Sequence, residues 1–102
     1  MNVANLQIEG LLMAVAAING ELVRKGLISV EEIDLALRKI EASLTGDEHL
    51  FEDMSPSNRD AVCFPVRLLR LANTESRRTT LPTFSELAKQ VGRTKVPYND
   101  QM

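Results

Sequence analysis

Histidine and cysteine, two side chains that often carry chemistry, each occur once in this chain. His49 lies in an acidic stretch with four carboxylates, namely Asp47, Glu48, Glu52 and Asp53. Oxygen and imidazole ligands together suit several divalent ions. Helical proteins that bind metals in this way, however, supply Glu-x-x-His motifs from two separate helices. Because this chain has one histidine, the sequence predicts a solvated acidic loop and no metal site.

Cys63 is the candidate nucleophile, and its neighbours Val62 and Phe64 are apolar. A reactive thiolate needs a nearby base and a group that lowers its pKa. An apolar setting instead predicts a buried cysteine that acts as a small hydrophobic side chain. A Ser-His-Asp set has only His49 to draw on, and the five glycines form no phosphate-binding loop. We therefore predict no catalytic residue, no cofactor and no enzymatic activity.

The segment FSELAKQVGR, residues 84–93, is similar to the first helix and turn of a DNA-binding helix-turn-helix. Ala88 would be the small packing residue, and Gly92 would form the turn. The reading helix would then start at Thr94 and would have to supply several side chains to the major groove. Pro97 interrupts that helix, since a proline beyond the first turn breaks it. The sequence therefore favours a short capped helix over a DNA reader.

The charge of the chain is divided unevenly between its two halves. Residues 1–54 contain four basic and ten acidic side chains, and residues 55–102 contain eight basic and four acidic ones. A basic half can bind phosphate, and the candidate contacts are Arg67, Arg70, Arg77, Arg78, Arg93 and Lys95. Proteins that bind single-stranded nucleic acid also stack its bases on aromatic side chains. Aromatic residues do not interleave with these basic residues. We expect the basic half to meet the acidic half, within the chain or across a dimer, and keep accessory nucleic-acid binding as the alternative.

The first predicted helix, over residues 5–25, is apolar almost all round. Its deepest stripe is expected to be Ile8, Leu11, Leu12, Val15, Ile18 and Leu22, spaced three or four residues apart. Such a helix is central in its domain or shared with another subunit. We predict a homo-oligomer, with a dimer favoured, and expect Met13 and Ala17 to face outward. The predicted interface is drawn from Ile8, Leu11, Leu12, Met13, Val15, Ala17, Ile18 and Leu22.

The end of this helix and the start of the next are well specified. Gly26 stands where a left-handed residue ends a helix in a Schellman motif, with Leu27 folding back on Leu22. Ser29 and Glu32 form a capping box. The second helix runs to about residue 44 with one apolar face, formed by Ile33, Ala36, Leu37, Ile40 and Leu44. The pattern predicts an antiparallel helical hairpin over residues 19–44.

Residues 25–32, KGLISVEE, resemble the KG-[IL]-[IL]-[ST]-x-EE helix–turn–helix units of many bacterial proteins. The SHOCT-type oligomerisation hairpin is one of these units. The resemblance covers about a quarter of the chain when the second helix is included. It implies a bacterial-type helical protein.

A third helix is predicted from Pro56 to about residue 72, with Ser55 as its cap. Pro65 interrupts it, and an interior proline costs about 3 kcal/mol. The helix is therefore expected to be kinked, or else divided in two. The acidic connector before it, residues 46–54, is expected to return Leu50, Phe51 and Met54 toward the core.

A polar linker over residues 74–83 leads to a short fourth helix, capped by Thr83 and Glu86 and ended by Gly92. Few aromatic residues favour helix-on-helix packing. The prediction is thus an all-α bundle: one domain over residues 1–92 and a flexible tail over residues 93–102. The apolar run at residues 11–18 is too short to cross a bilayer and lacks a signal-peptide pattern, which predicts a cytoplasmic location without membrane contact. The expected function is that of a self-associating interaction or adaptor module, with a further protein partner left open.

Overall fold

A computed structural model describes residues 3–46, 56–76 and 80–94 of the chain. These residues form four helices and no strand: α1 (Val3–Arg24), α2 (Val30–Gly46), α3 (Pro56–Thr74) and α4 (Phe84–Thr94). The predicted all-α class is therefore confirmed. Each of the four predicted helices is present, with ends that differ from the prediction by about two residues.

The central helix is α3, against which α1, α2 and α4 all pack. Side chains from three helices form a hydrophobic core cluster: Leu12 and Ala16 of α1, Leu68 and Ala72 of α3, and Leu87 and Val91 of α4. The helix α2 packs on a different side of α3, where Arg67 and Arg70 meet its carboxylates. Each residue turns the helix by about 100°, so Arg67 and Arg70 lie on a different side of α3 from Leu68 and Ala72.

This arrangement corrects the predicted hairpin. The helices α1 and α2 are consecutive and joined by a tight turn, but they make little direct contact, and each packs chiefly on α3. The reason is the chemistry of α2, whose inner side carries Asp34 and Glu41 beside its buried Ile33. These carboxylates find arginine partners on α3, whereas α1 has no basic residue along its length before Arg24.

The turn between α1 and α2 has the predicted Schellman geometry. Gly26 has a φ of 74°, in the left-handed region that favours glycine. The Leu27 amide donates to the Leu22 carbonyl at 3.0 Å, and the Gly26 amide donates to the Val23 carbonyl at 3.0 Å. Since the Leu27 side chain is 71% exposed, the backbone bonds rather than apolar packing close this turn.

Both predicted capping boxes are confirmed. The Glu32 amide donates to Ser29 Oγ at 3.0 Å, and the Ser29 amide donates to Glu32 Oε1 at 2.8 Å. The same reciprocal pair joins Thr83 and Glu86 at 3.1 and 2.8 Å. Each box satisfies two amides that the first turn of a helix otherwise leaves without a partner.

The helix α3 continues through Pro65 without interruption, so the alternative of two separate helices is wrong. The ring removes the amide that would bond to the carbonyl of Ala61. Ala61 is exposed, so this turn of α3 faces water. Buried Cys63, Val66 and Leu68 on both sides of the proline contribute the packing that holds α3 together.

The helix α4 also runs further than predicted. It passes through Gly92 and ends at Thr94, so the expected end at Gly92 is wrong. Gly92 does not have a positive φ, unlike Gly26, because the chain stays helical there. The turn of a DNA-binding helix-turn-helix is therefore absent at this glycine.

Several predictions fall outside the described residues. They include the acidic loop around His49, the returning side chains Leu50, Phe51 and Met54, the cap Ser55, and most of the tail over residues 93–102. These predictions, and the division into a domain over residues 1–92 and a tail, stay predictions.

Candidate self-association surface

The side of α1 that faces the core is narrow. Its three buried residues are Leu12, Ala16 and Gly20, spaced four residues apart, and Met13 packs on the same core. The expectation that Met13 faces outward is therefore wrong, and Leu12 is not available to a partner. Because α1 is apolar nearly all round, spacing alone could not tell which arc would face α3.

A second stripe on α1 is exposed. Leu11 is 63% exposed, Ile18 60% and Ile8 47%, and Val15 and Leu22 beside them are half-buried. We call this stripe the seam; it consists of Ile8, Leu11, Val15, Ile18 and Leu22. It lies about a third of a turn round the helix from the buried stripe. Five of the six residues predicted to be deepest thus form the seam, and three of them are largely exposed.

The spacing within the seam alternates between three and four residues. This is the a and d pattern of a coiled coil, in which each apolar side chain enters a gap on a facing helix. Ile8, Val15 and Leu22 take the a positions, and Leu11 and Ile18 take the d positions. No charged residue stands at a seam position, and Ala17, predicted to face outward, is exposed on the far side.

Polar contacts close the C-terminal end of α1. Arg24 donates to the Glu21 carboxylate at 2.9 Å and to the Ser76 carbonyl at 3.2 Å. The second bond ties the end of α1 to the residues that follow α3. The hydrogen bond from Arg24, together with its positive charge, lowers the pKa of Glu21.

The length and composition of α1 would also allow it to cross a bilayer. Its 22 residues contain an 18-residue window with a mean hydropathy of 1.4, of which 17% is buried. This stretch is longer than the apolar run at residues 11–18 on which the sequence argument relied. A core helix of a soluble protein and a signal sequence can have the same length and hydropathy. The cytoplasmic location stays a prediction.

Two of the six candidate nucleic-acid contacts already have acidic partners. Arg67 binds Glu41 at 2.9 Å and Asp60 at 2.8 Å, and Arg70 binds Asp34 at 3.0 Å and Glu41 at 3.3 Å. Burial alone would lower the pKa of both arginines, but hydrogen bonds to these carboxylates outweigh it and raise both. The acidic and basic halves therefore meet within the chain, as expected, and phosphate would have to compete with these pairs.

The other predicted contacts are less informative. Arg93 is exposed near the end of α4, and Arg77, Arg78 and Lys95 lie outside the described residues. The structure thus brings together Arg67 and Arg70, but it unites them with carboxylates rather than with a wider basic surface.

Cys63 is fully buried, as its apolar neighbours predicted. Burial raises the pKa of its thiol, and the nearby Arg67 only partly offsets this. Across the three described stretches, no group of three histidine, cysteine, aspartate or glutamate side chains is arranged to hold a metal ion. The thiol is therefore placed as a packing group in α3.

Sequence reasoning missed a buried polar cluster at the end of α3. Asn73 Nδ2 donates to the Val30 carbonyl at 2.9 Å, and Ser76 Oγ lies 3.4 Å from Asn73 Oδ1. Both side chains are buried, and they join the start of α2 to α3. Asn73 follows Val66 and Arg70 at the spacing of one helical face. This spacing could have placed Asn73 on the inner side of α3. Because the residues from Thr74 were predicted to be a linker, Ser76 was not expected to be buried.

The chain matches no protein-family model, no curated protein and no solved structure. The resemblance of residues 25–32 to bacterial hairpin units therefore remains local.

Proposed function

We propose that this protein is a non-catalytic helical module that self-associates by covering the seam of α1 with the seam of a second copy. The observation that carries the proposal is the exposure of Leu11 and Ile18, each at least 60%, at coiled-coil spacing on a helix anchored along its other side. Apolar side chains in one continuous row are a feature of surfaces that bind a partner.

The seam itself argues for a second copy as the occupant. A coiled-coil row is complementary to an identical row, because each side chain fits between side chains of the same kind. β-branched Ile8 and Val15 at a positions with Leu11 at a d position are typical of two-stranded parallel coiled coils, whereas Ile18 at d and Leu22 at a are typical of coiled coils with more strands; the proposal of a dimer rests on the first set. A partner chosen by charge has nothing to recognise, since the seam positions carry none.

The expected affinity is modest. Burying an exposed leucine or isoleucine contributes about 1.5–3 kcal/mol, and Ile8, Leu11 and Ile18 retain about half of that surface. Six such side chains in a pair of copies contribute roughly 5–9 kcal/mol. Association itself costs upwards of about 4 kcal/mol. The net of at most about 5 kcal/mol corresponds to a dissociation constant of about 0.2 mM at best, so we expect a weak, reversible dimer.

The test compares two substitutions of leucine on the same helix. Leu11→Glu places a charge on the seam, and Leu6→Glu places the same charge at a site that is 52% exposed and off the seam. Sedimentation or light scattering over about 10 µM to 1 mM gives the dissociation constant of each. We expect Leu11→Glu to weaken the dimer at least about tenfold, and Leu6→Glu to leave it unchanged. Circular dichroism checks that both variants stay helical.

Two outcomes would contradict the proposal. One is a wild-type protein that stays monomeric at about 1 mM. The other is a monomer that floats with phospholipid vesicles and loses this binding in Leu11→Glu, because the seam would then belong to a membrane surface. Binding to nucleic acid, the alternative from the sequence, would show instead as a steep loss of affinity with salt that Leu11→Glu does not change.

A further inference from the structure

We draw no further inference here: the strongest candidate, the open cavity between residues 80–83 and the outer face of α4, is lined by two basic and two acidic side chains that offset each other, and nothing in the part of its lining that the structure describes selects one class of ligand.

Discussion

Arg67 and Arg70 are the two arginines that join the basic half of the chain to carboxylates of α2. Each guanidinium bonds to two carboxylates, and Glu41 is shared between them. Their side chains are only 26% and 34% exposed, so water screens these pairs less than ordinary surface pairs. Removing Arg67 would leave Glu41 with Arg70 as its arginine partner and would take the guanidinium away from Asp60.

Arg67→Ala should therefore destabilise the protein by about 2–3 kcal/mol, the value of hydrogen bonds to charged groups in a partly buried site. Arg38→Ala is the matched control, because Arg38 pairs with Asp34 at 3.4 Å while 58% exposed. Exposed pairs of this kind contribute about 0.5 kcal/mol. Urea denaturation of both variants measures the difference, and equal losses would show that the pairs on α3 behave like surface pairs.

The thiol of Cys63 should resist modification in the folded protein. It is buried, and burial raises its pKa, so both access and the thiolate fraction are low. We expect labelling by a disulfide reagent at neutral pH to follow the rate of unfolding. Because the folded pKa lies above the unfolded one, stability should be constant below the usual thiol range and should fall as pH rises through it. Rapid labelling without unfolding would contradict this placement.

Two glycines, one just after α1 and one in the last turn of α4, differ in backbone conformation. Gly26 has a positive φ at the end of α1, whereas Gly92 lies inside α4 with nothing within 4 Å of a Cβ built on it. The same substitution should therefore have opposite effects. Gly26→Ala forces alanine into the left-handed region and should cost about 1 kcal/mol. Gly92→Ala should stabilise the protein by about 0.5–1 kcal/mol, since alanine favours the helix interior.

Thermal unfolding of the two glycine variants measures both signs in one experiment. A loss of stability in Gly92→Ala would mean that the chain leaves the helix at Gly92, as the sequence had suggested. A gain in Gly26→Ala would mean that the turn after α1 has another backbone conformation.

The local features of these helices could be predicted from the sequence, whereas the way the helices pair could not. The caps at Ser29 and Thr83 and the turn at Gly26 were predictable because each depends on residues within one or two turns of helix. The helix pairing was not predictable, because it depends on which arc of α1 finds α3 and on arginines about 30 residues from Asp34 and Glu41. The seam residues were singled out as candidates for an interface, which stays a prediction, but they were also taken for core. Apolar spacing is the same in both cases.

The whole molecule is organised around α3, with α2 on one side and α1 and α4 on another. A helix in this position is covered by its neighbours, whereas α1, at the edge, keeps its seam exposed. The proposed dimer would cover that edge and so would link stability to association. A ligand that binds only the folded state stabilises it, and a second copy acts in the same way.

We therefore expect the thermal midpoint of the wild-type protein to rise with protein concentration, by a few degrees over a hundredfold range. Leu11→Glu should show no such rise, and Leu6→Glu should behave like the wild type. Calorimetry at several concentrations measures this. A midpoint that is independent of concentration in the wild type would contradict coupling between folding and the seam.

The bond from Arg24 to the Ser76 carbonyl spans 52 residues of chain, and its length has a consequence for synthesis. When α1 and α2 leave the ribosome, the helix on which both pack has not yet been made. The first half of the chain must wait, at about 5–20 residues per second, for a few seconds. During that interval the seam and the future core face of α1 are exposed together, so α1 presents a wider apolar surface than it does in the finished protein. A chaperone that binds apolar helices would bind α1 most readily during that interval. Its binding surface would be covered once α3 is made and packs on α1.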